Sequence, residues 1–236
     1  MRKLAVPVIG IAALGVAIVA APSGAQDPAP VTTVTADAKV TPDKPGTKKK
    51  PRGVKLKVDV HWETPGDVEK LVVQRATVLF PKGSLYNGAK FPKCSANTMS
   101  RNGIAGCPKG SIMGKGSGVA FADTVLTYPK ITVVNGGKNS VFLWTVMTNP
   151  ARVQAPVPGK ITKASGRWAY KLELTVPQSL QIVAGVPIAL RDFTVTAGKG
   201  DWLATTGCPE GEWPFEGTTF FDNGSSGKFT SSIACG

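Results

Sequence analysis

Between Val54 and Glu63 apolar and polar side chains alternate without a break. Val54, Leu56, Val58, Val60 and Trp62 are apolar, while Lys55, Lys57, Asp59, His61 and Glu63 are charged or titratable. A helix repeats its apolar positions every three to four residues, so a period of two specifies a strand with one buried and one wet face. The pattern returns at Trp168, Tyr170, Leu172, Leu174 and Val176 against Arg167, Lys171, Glu173 and Thr175. Half-exposed strands of this kind belong to an antiparallel sheet, because all-parallel sheets are buried on both faces.

Turn signals extend the reading along the chain. Asn135-Gly136-Gly137, Ser165-Gly166 and Asp222-Asn223-Gly224 each lie beside apolar or β-branched runs and mark hairpins. No helical periodicity of any length competes, and only Ser179–Val183, after Pro177, reads as a turn of helix. Gly114, Gly116 and Gly118, continued by Ala120 and Ala122, leave one strand face bare, which suits an aromatic ring or a close backbone approach. About ten short strands over residues 54–236 predict an all-β fold, expected as a single antiparallel β-sandwich. A β-barrel, or two small β-units divided near Pro150–Pro158, are the alternatives.

Residues 1–25 read as a secretory signal peptide. Arg2 and Lys3 precede the uncharged stretch Leu4–Ala21, and Ser23-Gly24-Ala25 supplies small residues for cleavage before Gln26. A cut after Ala21 and a retained anchor are the competing readings. Residues 26–53 hold five prolines, no aromatic residue and the run Lys48-Lys49-Lys50-Pro51-Arg52, so they are expected as a disordered linker. The sequence as a whole carries a formal charge of +13. Residues 54–236 contribute 20 basic and 12 acidic residues to it, so the excess is not confined to the linker.

Cys94, Cys107, Cys208 and Cys235 all lie beyond the leader, where an oxidising compartment favours disulfides. Four cysteines allow three pairings. Cys94 with Cys107 and Cys208 with Cys235 are preferred, since each pair brackets a short, Gly-containing stretch. Neither spacing contains the Cys-x-x-Cys pairs usual in a thiolate zinc site.

The chemistry the chain can perform is limited by its residues. A single histidine, His61, removes every centre that needs two imidazoles, and its phase places it on an exposed strand face with Asp59 and Glu63. The segment Lys109–Ser117 resembles a phosphate loop but has Lys109 and Gly116 where Gly and Ser or Thr are required. No Gly-x-Ser-x-Gly elbow is present. Glu210, Glu212 and Glu216 around Trp213 keep a carbohydrate-active hydrolase open as an alternative. Among the five tryptophans, Trp62, Trp144 and Trp168 read as core, whereas Trp202 and Trp213 sit at segment edges where a ring can meet a ligand.

Leu79-Phe80-Pro81-Lys82-Gly83, Phe91-Pro92-Lys93-Cys94, Cys107-Pro108-Lys109-Gly110-Ser111, Cys208-Pro209-Glu210-Gly211-Glu212-Trp213 and Cys235 together resemble a group of secreted, uncharacterised actinobacterial β-rich proteins with paired Cys-Pro motifs. The resemblance covers residues 79–235. It implies export, a β-rich domain and local disulfides, and it brings no activity.

The expectation is therefore a secreted or envelope-associated, non-catalytic binding or structural module. Its expected partner is an anionic cell-wall polymer or an acidic lipid surface, met through Lys48, Lys49, Lys50 and Arg52. No cofactor, metal or nucleic acid is expected, nor a transmembrane span once the leader is cleaved.

Overall fold

A computed structural model describes residues 32–65 and 70–236. The expected signal peptide, its cleavage before Gln26 and linker residues 26–31 lie outside the described residues. Eleven strands build one sheet: β1 Thr33–Thr41, β2 Lys55–Glu63, β3 Val73–Pro81, β4 Ile112–Ala122, β5 Lys130–Gly137, β6 Ser140–Met147, β7 Val153–Lys163, β8 Trp168–Thr175, β9 Val186–Ala197, β10 Glu212–Phe221 and β11 Ser226–Ala234. Their hydrogen-bonded order is β1-β2-β9-β4-β5-β6-β7-β8-β3-β10-β11. Short strands Val125–Thr127 and Ile182–Val183 pair with β4 and β9 respectively.

The fold is all-β and antiparallel, as expected, and of the architectures weighed it takes the barrel rather than the sandwich. The sheet coils until its two ends meet, with Val34 of β1 packed where Gly227 of β11 leaves room. Ten successive antiparallel steps along this order leave β1 and β11 running in the same direction. An odd number of antiparallel strands can close only through a parallel pair, which is less stable per residue than an antiparallel one. Among the described residues no ladder joins β1 to β11, so the barrel is nearly closed. The two-unit alternative fails because Pro156 and Pro158 lie inside β7, opposite Trp144 and Phe142 of β6. The prolines fall before β8 begins to pair at Gly159, where a missing N–H costs no ladder bond.

Residues 33–53 are not a disordered linker. In β1, Val34, Ala36, Ala38 and Val40 alternate with Thr33, Thr35, Asp37 and Lys39, and the whole strand pairs with β2 from Thr33↔Glu63 to Thr41↔Lys55. Composition hid this, because small side chains bury little surface; the neighbouring strand supplies the hydrogen bonds that offset the ordering entropy. The following segment is also fixed. Gly46 N–H donates to Thr205 Oγ1 (3.1 Å), Thr47 and Lys50 close a turn, and Arg52–Gly53 pairs with Ala204–Thr205.

That pairing belongs to a three-stranded sheet of Arg52–Gly53, Leu203–Thr205 and Ser84–Tyr86, which caps one end of the barrel. Toward the other end stand the Gln178–Gln181 helical turn, with Leu180 buried, and the tips of the β4 and β9 hairpins. The exposed large apolar side chains among the described residues, Val125, Tyr128 and Ile182, gather on or beside these tips. Helix α1, Ala96–Asn102, was not visible as a pattern because seven residues hold under two turns. Ser95 Oγ caps it by accepting from Thr98 N–H (3.0 Å), and Met99 packs with Val134 and Trp144.

Both preferred disulfides are present. Cys94–Cys107 (Cα separation 5.4 Å) belongs to the α1 cluster, and Cys208–Cys235 (6.5 Å) ties the end of β11 to the approach to β10. The bare face of β4 serves a close backbone approach, since a Cβ on Gly114 or Gly116 would strike the carbonyl oxygens of Thr196 and Thr194 on β9. The Asn135-Gly136-Gly137 signal marks a real hairpin but misplaces its turn. β5 runs through Gly137, and the turn falls on Lys138-Asn139. Among the described residues no helix is long and apolar enough to cross a membrane.

Candidate functional site: the barrel interior

The strand alternation sends Val58, Val60 and Trp62 of β2, Val133 of β5, Leu143 of β6 and Leu172 of β8 inward. Outside, Lys57, Asp59, His61, Lys171 and Glu173 meet water, the reverse of a barrel whose outer face contacts lipid. In a filled core the inward set would be buried. Here β8 is half-buried at every position from Trp168 to Leu174, so its inward side chains still face space. That space is an apolar cavity of about 270 Å³.

The volume equals about nine waters at ~30 Å³ each, but a water held there needs two to four polar partners. The wall offers few. Thr219 Oγ1 already accepts from Trp62 Nε1 (3.3 Å), and the carboxylate bordering the cavity, Asp37, belongs to the outward-facing set of β1 beside the seam. An apolar solute suits such a wall better than water does.

A buried polar network closes the capped end. Asn135 is 0% exposed; its Nδ2 donates to the carbonyls of Gly88 (2.9 Å), Phe91 (3.2 Å) and Pro92 (3.0 Å). Its Oδ1 accepts from Trp202 Nε1 (3.0 Å) and from Gly137 N–H (3.2 Å). Tyr86 stands edge-on to Trp202, with ring centroids 5.3 Å apart, and its hydroxyl donates to Ser140 O (2.7 Å). Burial pushes the Tyr86 phenol well above its ordinary range, against the opposing pull of the neighbouring Trp202 indole N–H. Sequence reasoning missed Asn135 and Tyr86: a polar residue inside a strand gives no signal until the loop it anchors is folded over it.

The residues singled out from sequence divide as follows. Trp202 is 3% exposed and lines the cavity from within, not on an open edge, because its N–H is committed to Asn135. Trp213 is 1% exposed and donates to Gly207 O (2.9 Å) in a separate cluster with Val40, Val54 and Phe215. The two rings therefore share no open cleft. Glu212 and Glu216 take the outward phase of β10 while Trp213 and Phe215 take the inward one, which parts these carboxylates from the aromatic residue meant to accompany them. Glu210 lies in the Pro209–Gly211 turn before that strand.

Trp62 is buried, as expected, whereas Trp168 is only half-buried, like the rest of β8 to Leu174, beneath the Arg167 guanidinium (4.8 Å from its ring). Trp144 is buried, but beneath α1 rather than in the barrel. Lys48, Lys49, Lys50 and Arg52 are exposed, on an ordered turn and short strand at the capped end. His61 is exposed on its strand, with Nδ1 2.6 Å from Asp192 Oδ1, and Arg191 Nε donates to Asp192 Oδ2 (2.7 Å). Partial burial works against ionisation of Asp192, but the bonds from His61 and Arg191 prevail and hold its carboxyl below the usual range. The described residues contain no cluster of three His, Cys, Asp or Glu side chains able to hold a metal.

No protein family, curated protein or solved structure matches the chain.

Proposed function

We propose that the protein is a non-catalytic binding module of the cell envelope that carries an apolar ligand inside its barrel. The single observation behind this reading is the apolar interior of about 270 Å³, along which the inward side chains of β8 stay half-buried. Ligand pockets start near ~300 Å³, so the space suits one slender apolar group, such as a single alkyl chain, rather than a bulky polycycle. The two disulfides fit an extracytoplasmic site of action, in line with the leader expected at residues 1–25. A hydrolase gains nothing from this interior, whose bordering carboxylate is Asp37 alone among the described residues.

Titration of the purified protein with straight-chain C12 amphiphiles, followed by tryptophan emission, tests the reading, because Trp62 and Trp202 both line the cavity. At a hundredfold excess over Kd the ligand adds about 2.7 kcal/mol of stability. For a domain of this size that is roughly 5–10 °C in Tm. Ala76→Phe, which projects a ring into the cavity, should weaken binding at least tenfold without unfolding the protein. Unchanged emission and Tm with every chain length, or equal binding by Ala76→Phe, refutes it.

A further inference from the structure

The strand β9 does not pair regularly with β4. Leu190 faces Ala120 and Asp192 faces Val119, which makes Arg191 the extra residue of a bulge. A bulge re-aims a side chain at the expense of ladder bonds, and such irregularities gather beside functional sites. Here it turns Arg191 toward a surface cleft of about 270 Å³ near the barrel end away from the cap, lined also by His61, Thr64, Lys70 and Phe121. Lys70 Nζ lies 4.7 Å from the centre of the Phe121 ring and the Arg191 guanidinium carbon 6.0 Å from it. Two cations are thus gathered on one aromatic platform, beside an imidazole already hydrogen-bonded to Asp192. Among the described residues lining the cleft the carboxylate is Glu63, and it is exposed.

The cleft and the barrel cavity share two walls. Trp62 and Leu190 line both, so a polar, cation-bearing surface lies across two side chains from an apolar interior. From this juxtaposition we infer that the ligand is an amphiphile with an anionic head: its alkyl chain occupies the barrel and its carboxylate or phosphate is held by Lys70 and Arg191. The inference rests on the proposed carrier function and adds the chemical class of the ligand. Arg191 keeps guanidinium donors beyond the Nε bonded to Asp192, and a planar fork of donors suits both head groups. Leu190 is half-buried, so the partition contains one side chain with room to change rotamer when a chain passes.

The test compares dodecanoate, dodecyl phosphate and dodecanol, which share a tail and differ in head. Binding to the purified protein is measured by calorimetry at fixed salt, alongside Lys70→Ala and Arg191→Gln. The expected result is that the anions bind roughly tenfold more tightly than dodecanol. Each substitution should remove most of that advantage while leaving dodecanol binding unchanged. The ratio of dodecanoate to dodecyl phosphate affinity then identifies the preferred head. Equal affinity for the three ligands, or substitutions that weaken all three alike, overturns the head-group site and leaves the apolar carrier standing. Failure of all three to bind overturns the carrier reading itself.

Discussion

Replacing Asn135 by Ala removes the group on which the capped end of the barrel converges. Oδ1 is the acceptor for the Trp202 indole N–H at 3.0 Å and for Gly137 N–H at 3.2 Å. Nδ2 has two hydrogens for three carbonyls, those of Gly88, Phe91 and Pro92, so it shares one of them. Alanine leaves the buried indole N–H without a partner and strips the carbonyls of their donor. Each unsatisfied buried group costs about 1–3 kcal/mol. Because the carbonyls shift together and the space left can take a water, the total is about 3–5 kcal/mol rather than the full sum. That is a large part of the 5–15 kcal/mol typical of a folded domain. With an m-value of about 2–3 kcal/mol/M, the urea midpoint should fall by roughly 1–2 M in the oxidised protein. Asn135→Asp is expected to cost at least as much, because a carboxylate still accepts from Trp202 but faces three carbonyls with no donor. Pairing Asn135→Ala with Trp202→Phe should cost less than the sum of the single changes, as expected for groups in direct contact. A midpoint within 0.3 M of the unsubstituted protein for Asn135→Ala, or strict additivity in the cycle, would refute this account of the cap.

Gly116→Ala should destabilise the barrel by about 1–3 kcal/mol in thermal or urea unfolding, because its Cβ meets the Thr194 carbonyl of a neighbouring strand that has no room to retreat; Gly224→Ala tests the other cause of strain, a positive φ of 81° with open space around it, and should fail through backbone conformation rather than collision. The lowered pKa of Asp192 contributes stability that is present above the unfolded carboxyl value near 3.9 and is lost as pH falls through the lower folded value. His61→Ala removes one partner and should flatten the acid limb of a stability–pH curve, though modestly, since both side chains are over a third exposed. Tyr86 titrates in the opposite sense: its contribution is intact below about pH 10 and lost above it, so absorbance at 295 nm should show its phenol ionising only with unfolding. At the capped end, binding to purified anionic wall polymer should weaken as salt rises beyond ~0.15 M and weaken again in Lys48→Ala/Lys49→Ala/Lys50→Ala; salt-independent binding would remove the electrostatic contact.

The strands themselves were legible in the sequence, because side chains alternate about a strand whatever surrounds it: Lys55–Glu63 and Trp168–Thr175 form where period two places them. The disulfide partners were legible too, since short intervening loops bring those cysteines together without distant information. What the tertiary structure alone decided is how the strands close. Alternation gives the same inward set for a sandwich and a barrel, and only the hydrogen-bonded order, with its odd number of antiparallel strands, makes a single interior with an unladdered seam. Composition misjudged Thr33–Thr41 for the same reason: Ala36 and Ala38 bury little on their own, and the strand is ordered by nine residues of β2 opposite it. The candidate site was least legible of all. Trp62 lies far in the chain from Leu190 and Arg191, none of the three is exceptional in the sequence, and they become a wall between an apolar cavity and a cationic cleft only because a bulge in one strand turns a guanidinium outward beside a ring from another.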